Sequence, residues 1–201
     1  ANALALRSYQ LLSAGKHSAD LTDRSLQIAA NSPHPAVKSM LYQRGAWTYA
    51  MTGRPEKAAW ALDQAAEAIS EPTGEPAPDW AAWAHDPLEL EIMTGRCWAQ
   101  LHRPMRAVPV LESALSRYED SHARDKALYL SWLADAYLDA GEVERAAAVT
   151  SHALDLSSLV ASTRPQVRFA EVLQRFEPHA RVAGVGELLA RGTFHPLEVR
   201  S

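Results

Sequence analysis

Residues 42–65 read YQRGAWTYAMTGRPEKAAWALDQA. Tyr42, Gly45, Ala46 and Tyr49 fall at helical spacing before Gly53, and Ala58, Leu62 and Ala65 do so after it. Two helices joined at a glycine turn satisfy both halves. The same offsets recur at Gly95, Trp98, Ala107, Leu111 and Ala114, and again at Leu130, Leu133, Ala134, Tyr137, Gly141, Ala146, Thr150 and Ala153. A small residue at Ala46, Gly95 or Ala134 lets the second helix of its pair come close, and Ala58, Ala107 and Ala146 do the same from the other side. Tyr49, Trp98 and Tyr137 fill the space toward the next helix, so each pair buries its apolar face by stacking on its neighbours.

These offsets are those of a tetratricopeptide repeat, a helix-turn-helix unit of about 34 residues. The fold expected is all-α: a right-handed superhelix of antiparallel helix pairs, about ten helices in one array. The turn positions Gly53, His102 and Gly141 stand 49 and 39 residues apart, so the array is uneven. The larger excess coincides with residues 71–86, where Pro72, Gly74, Pro76 and Pro78 forbid a continuous helix. The smaller lies near residues 119–125. Residues 1–35 read as a degenerate first pair, with helices at 4–13 and 21–30 around Gly15, ended by Asn31, Pro33 and Pro35. Repeats follow at 36–70, 87–120 and 121–158. A capping pair at 164–191 has helices at 166–176 and 181–190, split by Pro178 and stopped by Gly192.

Composition agrees. The chain's 201 residues include 37 alanines and 24 leucines against 14 valines and isoleucines, a balance that suits helices over pleated strands. Its formal charge of −4 provides no basic field for nucleic acid, so direct DNA binding is not expected of this segment. It contains neither an apolar run of membrane-spanning length nor a signal-peptide start, and a cytoplasmic location is expected. The opening at Ala1, without an initiator methionine, hints at a fragment. Cys97 is expected to be a buried bystander.

The runs AWTYAMTGRPEKAAWALDQA, PDWAAWAHDPLELEIMTGRCWAQLHRP, LADAYLDAGEVERAAAVTSHALDL and VRFAEVLQRFEPH together resemble the C-terminal tetratricopeptide-like half of actinobacterial helix-turn-helix transcriptional regulators. The likeness covers roughly residues 31–191, and Trp80 and Trp83 before Asp86 are its most distinctive part. It implies a sensing or partner-binding half, with any DNA contact made by a phage-repressor-type domain outside this segment. A freestanding interaction scaffold and an enzyme-accessory or ligand-binding domain of a multidomain protein are the rival readings.

Catalytic and cofactor motifs are lacking. Gly184-Val185-Gly186 has no third glycine and no preceding strand, so it reads as a bend beside the last helix. No two histidines stand three to five residues apart, no serine occupies a nucleophile elbow, and Glu89 and Glu91 lie on different helical faces. No cofactor, metal or catalytic residue is therefore expected. Arg164, Arg168 and Arg175, with Glu171 among them, read as a salt-bridged solvent face, or otherwise as a surface for docking an acidic partner or a DNA-binding domain. Trp80 and Trp83 read as packed across the proline-rich connection, or otherwise as an exposed aromatic platform.

The inner positions of the three repeats are Gln43, Trp47 and Met51, then Ile92, Arg96 and Gln100, then Ser131, Asp135 and Asp139. They compose two ladders, Trp47–Arg96–Asp135 and Met51–Gln100–Asp139. A groove with apolar anchors, a cation and carboxylates suits a peptide, a protein segment or a small amphipathic ligand. The plainer alternative is that Arg96 pairs with Asp135 and caps the core. The lysines and asparagines of a carboxylate clamp are missing, and a homodimer is compatible with such an array.

Overall fold

In a computed structural model, residues 2–13, 19–32, 34–158 and 163–193 are described. Among them are ten α-helices and three short 3-10 turns, with no strand. The expectation of an all-helical chain with about ten helices is met. The chain divides into two compact units, Ala1–Leu101 and His102–Ser201.

The first unit holds α1 (Asn2–Ser13), α2 (Ala19–Ala29), α3 (Pro35–Met51), α4 (Pro55–Ser70) and α5 (Pro87–Gln100). The last three begin on proline, whose fixed φ suits the first helical position and whose missing N–H costs nothing there. His34 caps α3 by accepting from the Ala36 amide at 3.2 Å, and Asp86 caps α5 by accepting from the Leu88 amide at 2.9 Å. The short link Thr52 to Arg54 sends α4 back along α3. Ala46 on α3 and Ala58, Ala61 and Ala65 on α4 are completely buried.

The second unit holds α6 (Pro104–Arg117), α7 (Ala123–Asp139), α8 (Val143–Ser158), α9 (Thr163–Phe176) and α10 (Val185–Thr193). Ala134 on α7 and Ala146 and Ala153 on α8 are buried in the corresponding way. Phe169, Val172 and Phe176 carry the apolar face of α9, and Val185 and Leu188 that of α10. The last helix begins four residues later than the sequence suggests. A 3-10 turn at Glu177–His179 and the left-handed Gly184, with φ +80°, occupy the interval after Pro178.

The three equivalent turn positions share one backbone conformation, with φ of +66° at Gly53, +53° at His102 and +78° at Gly141. Glycine takes this shape freely, whereas His102 adopts it against a side-chain cost. Its ring has a compensating contact, Nδ1 lying 2.8 Å from Asp139 Oδ2.

The connection 71–86 is irregular apart from the 3-10 turn Ala82–His85. Trp80 and Trp83 are 52% and 40% exposed, while Ala81 and Ala84 are fully buried. Packing of the tryptophans across the connection is therefore corrected. The small alanines seat this turn, which leaves the large rings outside. No helix among the described residues is long and apolar enough to cross a membrane.

Leu26 of α2 packs tightly over Gly45 of α3, where an added Cβ would lie 2.8 and 2.9 Å from its two methyls. Gly45→Leu should overpack this crossing and cost about 1–3 kcal/mol. Thermal and urea denaturation of the variant measure it, and an unchanged midpoint would place the crossing elsewhere.

Candidate functional site

Many of the expected groove residues are used inside the units. Gln43 is fully buried, and its Nε2 donates to Ser39 Oγ at 3.0 Å and to the Ala84 carbonyl at 3.2 Å, tying α3 to the tryptophan-bearing turn. Ile92 is buried, and Trp47 is 7% exposed with the Arg96 guanidinium 4.8 Å from its ring centroid. Met51 and Gln100 are half-buried. In the second unit Ser131 is buried and its hydroxyl donates to the Leu128 carbonyl at 2.6 Å. Within their own unit, Asp135 and Asp139 are engaged by cations. Arg175 reaches Asp135 Oδ1 at 2.7 Å and Asp139 Oδ1 at 2.6 Å, and Arg168 also pairs with Asp135.

The arginine stripe is corrected accordingly. Arg168 does pair with Glu171 at 2.9 Å, but its guanidinium also stacks 3.9 Å from the Trp132 ring centroid and is only 15% exposed. Arg168 and Arg175 dock α9 on α7 instead of lining a solvent face, because a carboxylate as sheltered as Asp135 requires paired donors. The side chain of Arg164 lies outside the described residues. Cys97 is buried, which pushes its thiol up to about 12 despite the nearby Arg96 charge.

One arrangement occurs in both units. In the first, the Tyr49 hydroxyl donates to Asp23 on α2, and Lys57 on α4 lies 5.2 Å from the Tyr49 ring centroid while binding both Asp23 oxygens at 3.2 Å. In the second, the Tyr137 hydroxyl donates to Glu112 on α6, and Arg145 on α8 lies 4.4 Å from the Tyr137 centroid and pairs with Glu112. The repeat aromatic thus joins a carboxylate of the preceding helix to a cation of the following one. Burial and the adjoining carboxylate push both tyrosine hydroxyls well above their ordinary range. Burial acts to raise the Asp23 carboxyl, but the Tyr49 hydrogen bond and the Lys57 ammonium outweigh it and hold the group below its usual value.

Beside the first of these staples lies an open cleft of about 610 Å³. Its walls are Asp23, Leu26, Gln27 and Ala30 of α2, Tyr42 and Tyr49 of α3, and Glu56, Lys57 and Trp60 of α4. Trp60 is 46% exposed and meets the Tyr42 ring edge-on, with centroids 5.7 Å apart and planes at 87°. At the corresponding repeat positions the second unit has Leu130 for Tyr42 and Ala148 for Trp60. The staple is therefore common to both units, whereas the aromatic wall belongs to the first. Tyr42 and Tyr49 lie on a different stripe of α3 from Gln43, Trp47 and Met51, and the other walls come from α2 and α4. Alignment of the copies carries the signal, a tryptophan where its counterpart is alanine.

Searches against protein-family models, curated proteins and solved structures find no match to this chain.

Two consequences are measurable. Because the native Asp23 pKa lies below the unfolded value, the carboxylate contributes stability above about pH 4 that is lost as pH falls through the native pKa. Tyr49→Phe should move the native pKa upward and lower stability at pH 7, with the difference from the parent vanishing once Asp23 is protonated. Carboxyl NMR titration, with urea melts at pH 7 and at a pH below the native Asp23 value that the titration finds, tests both parts. Asp135→Ala should cost about 2 kcal/mol by leaving the sheltered Arg168 with only the exposed Glu171 as its carboxylate, less than for a fully buried pair. Denaturation, with hydrogen exchange across α9, would show whether that helix loosens first.

Proposed function

We propose that the chain is the regulatory, ligand-binding half of a transcriptional regulator, built as a tetratricopeptide-like array and without catalytic activity of its own. The observation carrying the reading is the cleft between α2 and α4, whose aromatic wall has no counterpart at the same positions of the second unit. A scaffold residue that serves only packing is expected in each copy. Tyr42 and Trp60 break that equivalence at a concave, mostly apolar site with a few converging polar groups, the ordinary chemistry of a small-ligand pocket. The resemblance of residues 31–191 to the sensing halves of helix-turn-helix regulators supplies the regulatory context, and the DNA contact is assigned to a domain outside this segment. The inner residues Trp47, Arg96, Asp135 and Asp139 then serve chiefly to hold the helices that shape the units.

The cleft reading predicts that a ligand will stabilise the folded chain by mass action. A thermal-shift screen of small amphipathic compounds should give hits that raise the melting temperature of the parent and lose most of that effect in Trp60→Ala. Trp60 is half exposed, so its removal leaves the core intact. Hits that act equally on both proteins, or none at all, would remove the cleft from consideration. A scaffold role is the second reading, favoured by exposed Trp80 and Trp83 on the turn before α5. It gains ground if Trp80→Ala and Trp83→Ala, and not Trp60→Ala, abolish a regulatory response.

A further inference from the structure

We propose that the α2–α3–α4 cleft takes a small organic cation with a flat apolar body, an arylalkylammonium in shape and charge; this rests on reading the cleft as a ligand site. Tyr42 and Tyr49 are seven residues apart on α3, which separates them by about 10 Å along the helix axis. Since α4 returns along α3, Trp60 stands beside Tyr42 at one end and Lys57 over Tyr49 at the other. Glu56 is one turn from Trp60 on α4, about 6 Å along its axis. A flat ring held among Trp60, Tyr42, Leu26 and Ala30 would therefore bring a substituent two or three carbons long to the level of Glu56.

The sign of that substituent follows from the charges in the wall. Asp23, Glu56 and Lys57 are the ionisable acidic and basic groups that line the cleft. Asp23 and Lys57 are bound to each other, as their counterparts Glu112 and Arg145 are in the second unit, and Arg54 acts on Asp23 as well. An anion would have to draw Lys57 away from Asp23. A cation has nothing to displace, since among the described residues Glu56 has no ion-pair partner. Glu56 stands in the first turn of α4, one turn from Trp60. The aromatic faces add attraction for positive charge, a preference that Lys57 already displays against Tyr49.

The test uses three probes of one shape, 3-phenylpropylammonium, 3-phenylpropanol and 3-phenylpropanoate, titrated into the 201-residue chain and followed by ligand-observed NMR and calorimetry at low salt. The cation should bind about 3- to 10-fold more tightly than the alcohol, and the carboxylate most weakly. Glu56→Gln should reduce the cation's advantage over the alcohol and leave the alcohol unchanged. Trp60→Ala should weaken the cation and the alcohol alike by about tenfold while helicity and melting are retained. Equal binding of the three probes, or a preference for the carboxylate, overturns the cation assignment and leaves the cleft as a ligand site. Absence of saturable binding by any probe, or binding indifferent to Trp60→Ala, overturns the assignment together with the reading on which it rests.

Discussion

Close approach of paired helices at alanine is the constraint on which the other features depend. Ala46 against α4 and Ala134 against α8 have no exposed surface, nor do Ala58 and Ala146 on the facing helices. Tyr49 and Tyr137 reach a carboxylate on the preceding helix, and a cation on the following helix folds over each ring. A larger residue at these alanines would push the helices apart and cost packing before it cost any polar contact. The hydrogen-bonded staple is therefore a consequence of the apolar crossing, adding orientation to a stack already formed by burial.

The same geometry explains how the two units differ while sharing a plan. Around Tyr137 the neighbouring positions are filled by Leu130 and Ala148, and around Tyr49 by Tyr42 and Trp60. Trp60 stands half out of the wall, its ring nearly perpendicular to that of Tyr42. A cleft results without any change in backbone plan. In the second unit the ionic resources go elsewhere, to the two aspartates and two arginines that fasten α9 onto α7 with Trp132 beneath. Polar groups that a surface reading would leave for a ligand are consumed there in holding the fold.

How much was legible beforehand can be judged from individual residues. The alanine and glycine positions and the turns at Gly53, His102 and Gly141 follow from local rules, since a small residue or a left-handed turn is imposed within a few residues of chain. The helical class and the approximate helix count were determined in this way by the sequence alone. The candidate site was not. Periodicity assigns a side chain to a face, but it does not say which partner reaches that face. The spacing of Gln43 suits a groove lining, yet it is a buried tether to Ala84, and the spacing of Arg168 suits a solvated face, yet it covers Trp132. Asp23, Lys57 and Trp60 come together from helices up to 37 positions apart in the chain, and only their packing on α3 makes them one cleft. Helix formation is a short-range property of the backbone, whereas the partners of a charged or aromatic side chain are set by long-range burial, and that is fixed only when the helices have stacked.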